Sequence, residues 1–203
     1  MSSEHIAIVP GVSADAREFS RLVLPSGELL VAIYDTKTEG LMAYLYAQPN
    51  NLYSYANSCF LQVDEKKVGI LLAYSQITER NQNQNTSRLM IEYLGFGYYR
   101  RLFRMRNAHR VIGSLERGEY LLSNIAIIPE FRNRGLGKIL IREAIRQARH
   151  EGCSRLVLDV MPSNTAAIRC YEKSGFTVAQ KRPSFRINRS EFVFYRMVYK
   201  IEC

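Results

Sequence analysis

No apolar run in this sequence approaches the roughly 20 residues that a membrane-crossing helix requires, so a membrane protein of that kind is not expected. The N-terminus, Met-Ser-Ser-Glu-His, lacks the basic and apolar regions of a secretory leader, and a cytoplasmic location is the expectation. Only 4 cysteines occur (Cys59, Cys153, Cys170 and Cys203), and none sits in Cys-x-x-Cys spacing. Reduced thiols in a cytosolic protein are the simplest reading. No His/Cys/Asp cluster has metal-ligand spacing, so no metal is expected. Of the 3 histidines, His5 and His150 look peripheral and His109 lies in a basic segment. Internal repeats, low-complexity tracts and domain boundaries are also missing. The 203 residues are therefore read as a single domain, 1–203, with a full-sized core.

Acidic residues are outnumbered, 19 against 28 Lys and Arg, for a formal net charge of +9. The imbalance is uneven. Residues 1–50 hold 3 basic and 6 acidic groups, a net of −3, so the remainder carries +12. Residues 80–118 hold 8 Arg and 2 Glu, a net of +6. A basic surface attracts phosphates, whether of coenzyme A, nucleic acid, a ribosome or an anionic membrane. A plain solvated basic face is the alternative.

Hydrophobic periodicity and turn chemistry divide the chain. His5 to Val9 reads as a strand, Ala14 to Val23 as a helix with Ser13 as N-cap, and Thr36 to Ala47 as a second helix. Asn57 to Val63 and Val68 to Tyr74 form a hairpin across the polar Asp64–Lys67. Gln76 to Ser87 is polar and reads as a loop. Arg88 to Asn107 reads as helical, interrupted near Gly95 and Gly97. Then come a strand (Glu119 to Ile128), an amphipathic helix (Gly135 to Glu151, stopped by Gly152) and a strand (Arg155 to Met161). That order suggests a parallel βαβ crossover. A short helix from Asn164 to Ser174 ends at Gly175. Phe176 to Gln180 and Phe192 to Tyr199 are the last strands, joined by the basic segment Lys181 to Ser190. The result is an α+β chain, a mixed sheet with helices on both sides.

Strand, glycine turn and helix N-terminus follow one another at Pro129-Glu-Phe-Arg-Asn-Arg-Gly-Leu-Gly-Lys138. Such a turn aims successive backbone N–H groups, and the positive end of the helix dipole, at an anion. Gly135 and Gly137 permit close approach, and Arg132, Arg134 and Lys138 add cationic donors. A Walker loop does not fit, because Gly137-Lys138 is followed by Ile139. Nor does a dinucleotide fingerprint, whose third glycine would be Leu140. The pattern that does fit is Arg-x-x-Gly-x-Gly, read as Arg132, Gly135 and Gly137.

That pattern resembles the acyl-CoA pyrophosphate signature of the GNAT family of N-acetyltransferases. Asn164-Thr-Ala-Ala-Ile-Arg-Cys-Tyr-Glu-Lys-Ser-Gly-Phe176 resembles the same family's Asn-x-x-Ala…Tyr-x-Lys-x-Gly-Phe element, and the elements between the two segments have the required order. The resemblance is good over about 119–180 and weaker over 1–75. It implies a GNAT fold: a mixed, mostly antiparallel sheet with a central parallel pair and helices on both faces. It further implies an acyl-CoA-binding core at about 119–180 and a helical, Arg-rich insertion at about 76–118.

The implied activity is transfer of acetyl from acetyl-CoA to an amine on a small molecule, protein or peptide. The amine attacks directly in a ternary complex, a tetrahedral oxyanion forms, and it collapses to amide and thiolate. The backbone of Ile125-Ala126-Ile127 would pair with the pantetheine amides and polarise the thioester carbonyl. Asn133, Arg134, Gly135, Leu136, Gly137 and Lys138, with Arg132, would supply pyrophosphate contacts, and Asn164 would sit beside the cofactor. Lys173 or Arg169 could meet the outer phosphate, or remain solvated surface charges.

Tyr171 is the acid candidate. A phenol of pKa about 10 can protonate a thiolate of about 8.5 when well placed; the alternative is a packed helix tyrosine. Cys170 beside it reads as a structural thiol rather than a ping-pong nucleophile. The family's glutamate base position falls on Leu121. Glu119, two residues earlier on the same strand face as Ser123, is the first candidate base and Glu116 the second. Ordered water is the alternative.

The first half is rich in aromatics, among them Tyr44, Tyr53, Tyr74, Tyr93 and Tyr98. Most read as core, some as lining for an acceptor pocket. Arg100, Arg101, Arg104 and Arg106 are ill-suited to a polyamine and better suited to an acidic peptide, an anionic metabolite or a ribosomal site. Two other readings compete: a non-catalytic acyl-CoA sensor, motivated by Leu121, and a nucleic-acid-binding protein led by the Arg-rich helix. Nucleic acid and membrane are not the expected partners. A homodimer through Phe192 to Tyr199 is left open.

Overall fold

The computed structural model describes residues 4–112 and 114–202, leaving the side chain of His109 outside the description. Strand β1 (Ile6–Pro10) is followed by helices α1 (Ala16–Val23), α2 (Glu28–Tyr34) and α3 (Thr38–Ala47). The hairpin β2 (Ser58–Val63) and β3 (Lys66–Ser75) leads into α4 (Gln76–Leu94) and α5 (Phe96–Val111). Then come β4 (Glu119–Ile127), α6 (Leu136–His150), β5 (Arg155–Val160) and α7 (Thr165–Glu172). The chain finishes with β6 (Thr177–Lys181), β7 (Phe185–Ile187), β8 (Ser190–Phe192) and β9 (Tyr195–Lys200).

The main sheet has the order β1-β2-β3-β4-β5-β9-β6, and β7-β8 is a separate hairpin. β4 and β5 are the parallel pair and every other ladder is antiparallel, as the resemblance implies. One face carries α6 and α7 over a core of Leu122, Leu136, Leu140, Ile141, Ala144, Leu156, Leu158 and Met197. The other carries α1, α3, α4 and α5 over Phe19, Leu41, Leu45, Tyr46, Phe60, Ile70 and Leu72. The β2–β3 turn is the two residues Asp64 and Glu65, with φ 48° and 65°, which is the twist that tight hairpins need.

Several elements differ from the sequence reading. Gln76 to Ser87 is not a loop but the first part of α4. Ser75 caps it, its Oγ accepting the Thr78 N–H at 3.4 Å. The polar run is helical because its side chains find tertiary partners. Asn57 Nδ2 donates to Gln82 Oε1 at 2.8 Å, Asn85 Nδ2 donates to the Asn50 carbonyl at 2.9 Å, and Thr86 Oγ1 accepts the Leu52 N–H at 2.9 Å. The expected break falls at Gly95, whose φ of 53° with ψ of −134° suits glycine.

Ser13 is not the cap of α1, since Ser13–Asp15 is a 3-10 turn, with Asp15 accepting the Val12 N–H at 3.2 Å. Helix α2 was not foreseen, because Leu24-Pro25-Ser26-Gly27 masks its start. The expected last strand is divided between β8 and β9, and β7 forms within the basic segment. Phe185 stacks on Phe192 and Phe194 at 5.7 and 6.2 Å, seating this hairpin in the core shared with α5. β9 lies between β5 and β6, both of its edges paired, so it is not the exposed strand through which a dimer was envisaged.

Candidate active site

β4 is where the site is built. It pairs with β5 only at Glu119–Leu121, opposite Arg155–Val157, and β5 then follows β9 along its whole length. β4 instead stays with β3 as far as Ile127. Beyond Leu121 the two parallel strands therefore part, and Ile125, Ala126 and Ile127 present an edge that no described strand occupies. At the point of separation β4 carries a bulge: Leu72 faces Asn124 and Ala73 faces Leu122, leaving Ser123 unmatched. Ile125 and Ile127 consequently return to the α6 side, while Ala126 faces the opposite core.

The glycine turn closes the far end of that edge. The Arg132 Nε donates to the Ile127 carbonyl at 2.9 Å, tying the turn to the strand. Asn133 (φ 61°) and Gly135 (φ 78°) are left-handed, and α6 begins at Leu136. A Cβ added at Gly135 would meet nothing within 4 Å, so the backbone there faces open space. Leu136 is buried and offers only its backbone. Arg134 pairs with Glu4 and lies over the Phe131 ring at 4.8 Å. A cleft of about 440 Å³ runs along this turn, lined by Arg134, Gly135, Lys138, Arg142 and Lys173. Four cations around a left-handed turn at a helix start suit a diphosphate.

α7 packs against the same turn, a Cβ at Gly137 meeting Cys170 Sγ at 3.7 Å. Asn164 caps α7, its Oδ1 accepting the Ala167 N–H at 3.2 Å, which fixes its side chain beside the helix start. Tyr171 is 7% exposed and packs on Phe176 at 5.7 Å between ring centroids. Burial pushes its phenol well above the ordinary range, so it holds its proton at neutral pH. Its hydroxyl forms no hydrogen bond among the described residues. Tyr171 belongs to the core cluster against which Ile125 and Ile127 pack, and Gly137 lies against the helix that carries it.

Glu119 is elsewhere. It lies at the paired end of β4, 5% exposed. Its Oε2 accepts the Glu116 N–H at 2.8 Å, and its two oxygens lie 3.6 Å from Arg155 and 3.7 Å from Arg196. Arg196 also holds Asp159 with two bonds of 2.9 and 2.8 Å. Glu116 is exposed and paired with Arg155 at 2.9 Å. Arg196→Ala would leave Glu119 and Asp159 buried without their shared cation. A loss of about 3–5 kcal/mol is expected in urea unfolding.

The Arg-rich helix is partly neutralised. Arg104 and Arg101 reach Asp35 at 3.1 and 3.6 Å, bracing α5 to the end of α2, while Arg100 and Arg106 stay exposed. Sequence reasoning missed the first half of α4 and the Arg196–Asp159 pair. Reading Gln76 to Ser87 as a loop removed the first from view, and nothing in the spacing of Asp159 and Arg196 signals the second. Cys59 is buried, which pushes its thiol up to about 12 and makes it inert.

The model of the Acetyltransferase (GNAT) family matches residues 25–176. Among curated proteins, the [ribosomal protein bS18]-alanine N-acetyltransferase of Salmonella typhimurium is 42% identical over 67 residues, 33% of this chain and 45% of that protein. Mycothiol acetyltransferase of Corynebacterium glutamicum is 39% identical over 56 residues, 28% of this chain and 19% of that protein. The chain thus spans less than half the length of these curated relatives. Of solved structures, one described as an acetyltransferase superposes with a TM-score of 0.69 at 21% identity, covering 97% of this chain and all of the other. The Escherichia coli ribosomal-protein-S18-alanine N-acetyltransferase gives 0.55 at 18% identity over 98% of this chain and 96% of that one. These likenesses share the fold. Among the described residues, no helix is long and apolar enough to cross a membrane.

Proposed function

Because the chain belongs to the acetyltransferase (GNAT) family, we propose that it transfers an acetyl group from acetyl-CoA to a primary amine within a ternary complex. The observation that carries this reading is the vacant β4 edge at Ile125–Ile127 running into the left-handed Gly135 turn. Pantetheine amides would continue the sheet along that edge, as a strand does. Backbone N–H groups of 133–138 would hold the pyrophosphate, with Lys138, Arg142 and Lys173 around it.

The amine nitrogen bonds to the thioester carbonyl carbon while an N–H of the β4 bulge region polarises the carbonyl. The C–S bond breaks, and Tyr171 protonates the departing sulfur. Cys170 takes no part in direct transfer, so Cys170→Ala should keep its turnover, whereas a ping-pong route would lose it. The acceptor is a peptide or metabolite amine rather than a polyamine, since Arg100 and Arg106 would repel polycations. Likeness to the [ribosomal protein bS18]-alanine N-acetyltransferase over 67 residues makes an alanine amine a suitable first acceptor to try.

The test is calorimetric titration with acetyl-CoA, followed by thiol release in the presence of amine panels. Micromolar binding and amine-dependent release are expected. Binding without release from any amine would favour an acyl-CoA sensor, and spermidine as best acceptor would refute the charge argument.

A further inference from the structure

We propose that the solvent-facing side of α5 docks the protein on an anionic phospholipid surface. The proposal is independent of the acetyl-transfer reading. It starts from a helix that is apolar on two faces. Tyr98, Met105 and Ala108 turn toward the core shared with α1 and α3, where Tyr98 and Ala108 are buried. Phe96, Tyr99 and Phe103 turn the other way and are 79%, 58% and 73% exposed. Spacings of three and seven residues set these rings in one row over two helical turns. The Phe96 and Tyr99 rings lie with centroids 6.3 Å apart. A single exposed apolar side chain needs no explanation, but a row of three aromatics does.

Charge gives the partner its chemistry. α5 contains 5 arginines and no aspartate or glutamate. Two of the five are committed to the protein itself. Arg104 meets Asp35 at 3.1 Å and donates to the Ile33 carbonyl at 3.4 Å, and Arg101 donates to the Tyr34 carbonyl at 3.4 Å. On the preceding helix, Glu92 is held by Arg88 at 3.2 Å and accepts the Tyr44 hydroxyl at 2.8 Å. Arg100 and Arg106 are exposed and form no ion pair among the described residues. Helical spacing sets them on the two flanks of the aromatic row, each one turn from Phe103.

Rings projecting from a convex helix between unpaired guanidinium groups match the boundary of an anionic bilayer. The rings enter the apolar side of that boundary while the arginines reach lipid phosphates. A second copy of the chain fits worse, because a two-fold contact sets this face on itself and its arginines against arginines. A nucleic acid would answer the arginines alone. The Phe96 and Tyr99 rings are tilted 48° to one another and offer no common plane on which successive bases stack. The expectation of no membrane partner rests on the lack of a spanning segment and a leader, and neither bears on a helix that lies in the interface. Only the packing of Tyr98 and Ala108 shows which aromatics are left outside.

The chain has no tryptophan, so one introduced at the face reports on it alone. Phe103→Trp replaces an exposed ring, and Val178→Trp on β6, 47% exposed, is the control. Each full-length variant is titrated with vesicles of phosphatidylcholine alone and of an equal mixture with phosphatidylglycerol, at low and high salt. With the mixed vesicles, the Phe103→Trp emission should move to the blue, and the Val178→Trp emission should not. Neutral vesicles should bind weakly, and high salt should weaken binding to the mixed ones. In cosedimentation, Arg100→Gln with Arg106→Gln should lower affinity roughly 25-fold, about fivefold per arginine. Phe96→Ser with Phe103→Ser should lower it about 100-fold. Thermal melting of the serine variant should match wild type, since both rings face solvent and serine and phenylalanine have similar helix propensity.

Failure of wild type to bind the mixed vesicles at low salt overturns the proposal. Binding that survives both double variants, or a blue shift at Val178→Trp without one at Phe103→Trp, overturns it by placing the contact elsewhere. A wild-type dimer that the serine variant dissolves shows that a second copy covers the face and overturns it as well. So does retention of wild type by a single-stranded oligonucleotide without vesicle binding.

Discussion

Gly135→Glu is expected to abolish acetyl-CoA binding while leaving the protein folded. The residue has φ 78°, a conformation that costs a side-chain-bearing residue about 1–2 kcal/mol. For a domain of this size each kcal/mol lowers Tm by about 2–4 °C, so the fold survives. A Cβ there touches nothing within 4 Å, and the added carboxylate would extend into the cationic cleft. It would repel the pyrophosphate and pair with Lys138 or Arg142 in its place. The affinity should fall at least about 100-fold, or about 2.7 kcal/mol. Gly135→Ala, which carries the strain without the charge, should retain most of the binding. Equal calorimetric affinity for wild type and Gly135→Glu would remove the cleft from consideration as the pyrophosphate site.

Tyr171→Phe should lower turnover by about 10²–10⁴-fold and leave acetyl-CoA affinity alone. The ring contact with Phe176 survives the change, so stability should hardly move. Only the hydroxyl is lost, and it forms no bond within the described protein. Its raised pKa keeps it protonated through neutral pH, the form that an acid must have. A variant as fast as wild type would show that Tyr171 is a packed helix tyrosine and that solvent protonates the sulfur.

The Gly135 turn and the helix that carries Tyr171 were legible in the sequence because local chemistry marks them. A left-handed glycine between a strand and a helix, and a tyrosine two turns after an asparagine cap, are short-range patterns whose geometry is fixed by backbone rules. The parallel β4–β5 pair was equally readable, since a strand, an amphipathic helix and a second apolar strand admit few topologies. The first half of α4 was hidden for the opposite reason. α4 owes its helicity to hydrogen bonds that Gln82 and Thr86 accept from, and Asn85 donates to, a segment some 30 residues earlier, which no periodicity displays. The Glu119–Arg196–Asp159 network spans three strands and depends on pairing register, so the sequence offered Glu119 as an available base when its oxygens are occupied. The ladder order also placed β9 in the sheet interior, whereas Phe192 to Tyr199 was read from the sequence as an exposed strand.

The most direct test of the account is a crystal structure of the acetyl-CoA complex. The account predicts pantetheine amides bonded to the β4 edge at Ile125–Ile127, pyrophosphate on the N–H groups of 133–138, and the thioester between β4 and β5 within reach of the Tyr171 hydroxyl. Acetyl-CoA found along another strand edge, or a Gly135 turn empty in the complex, would contradict it.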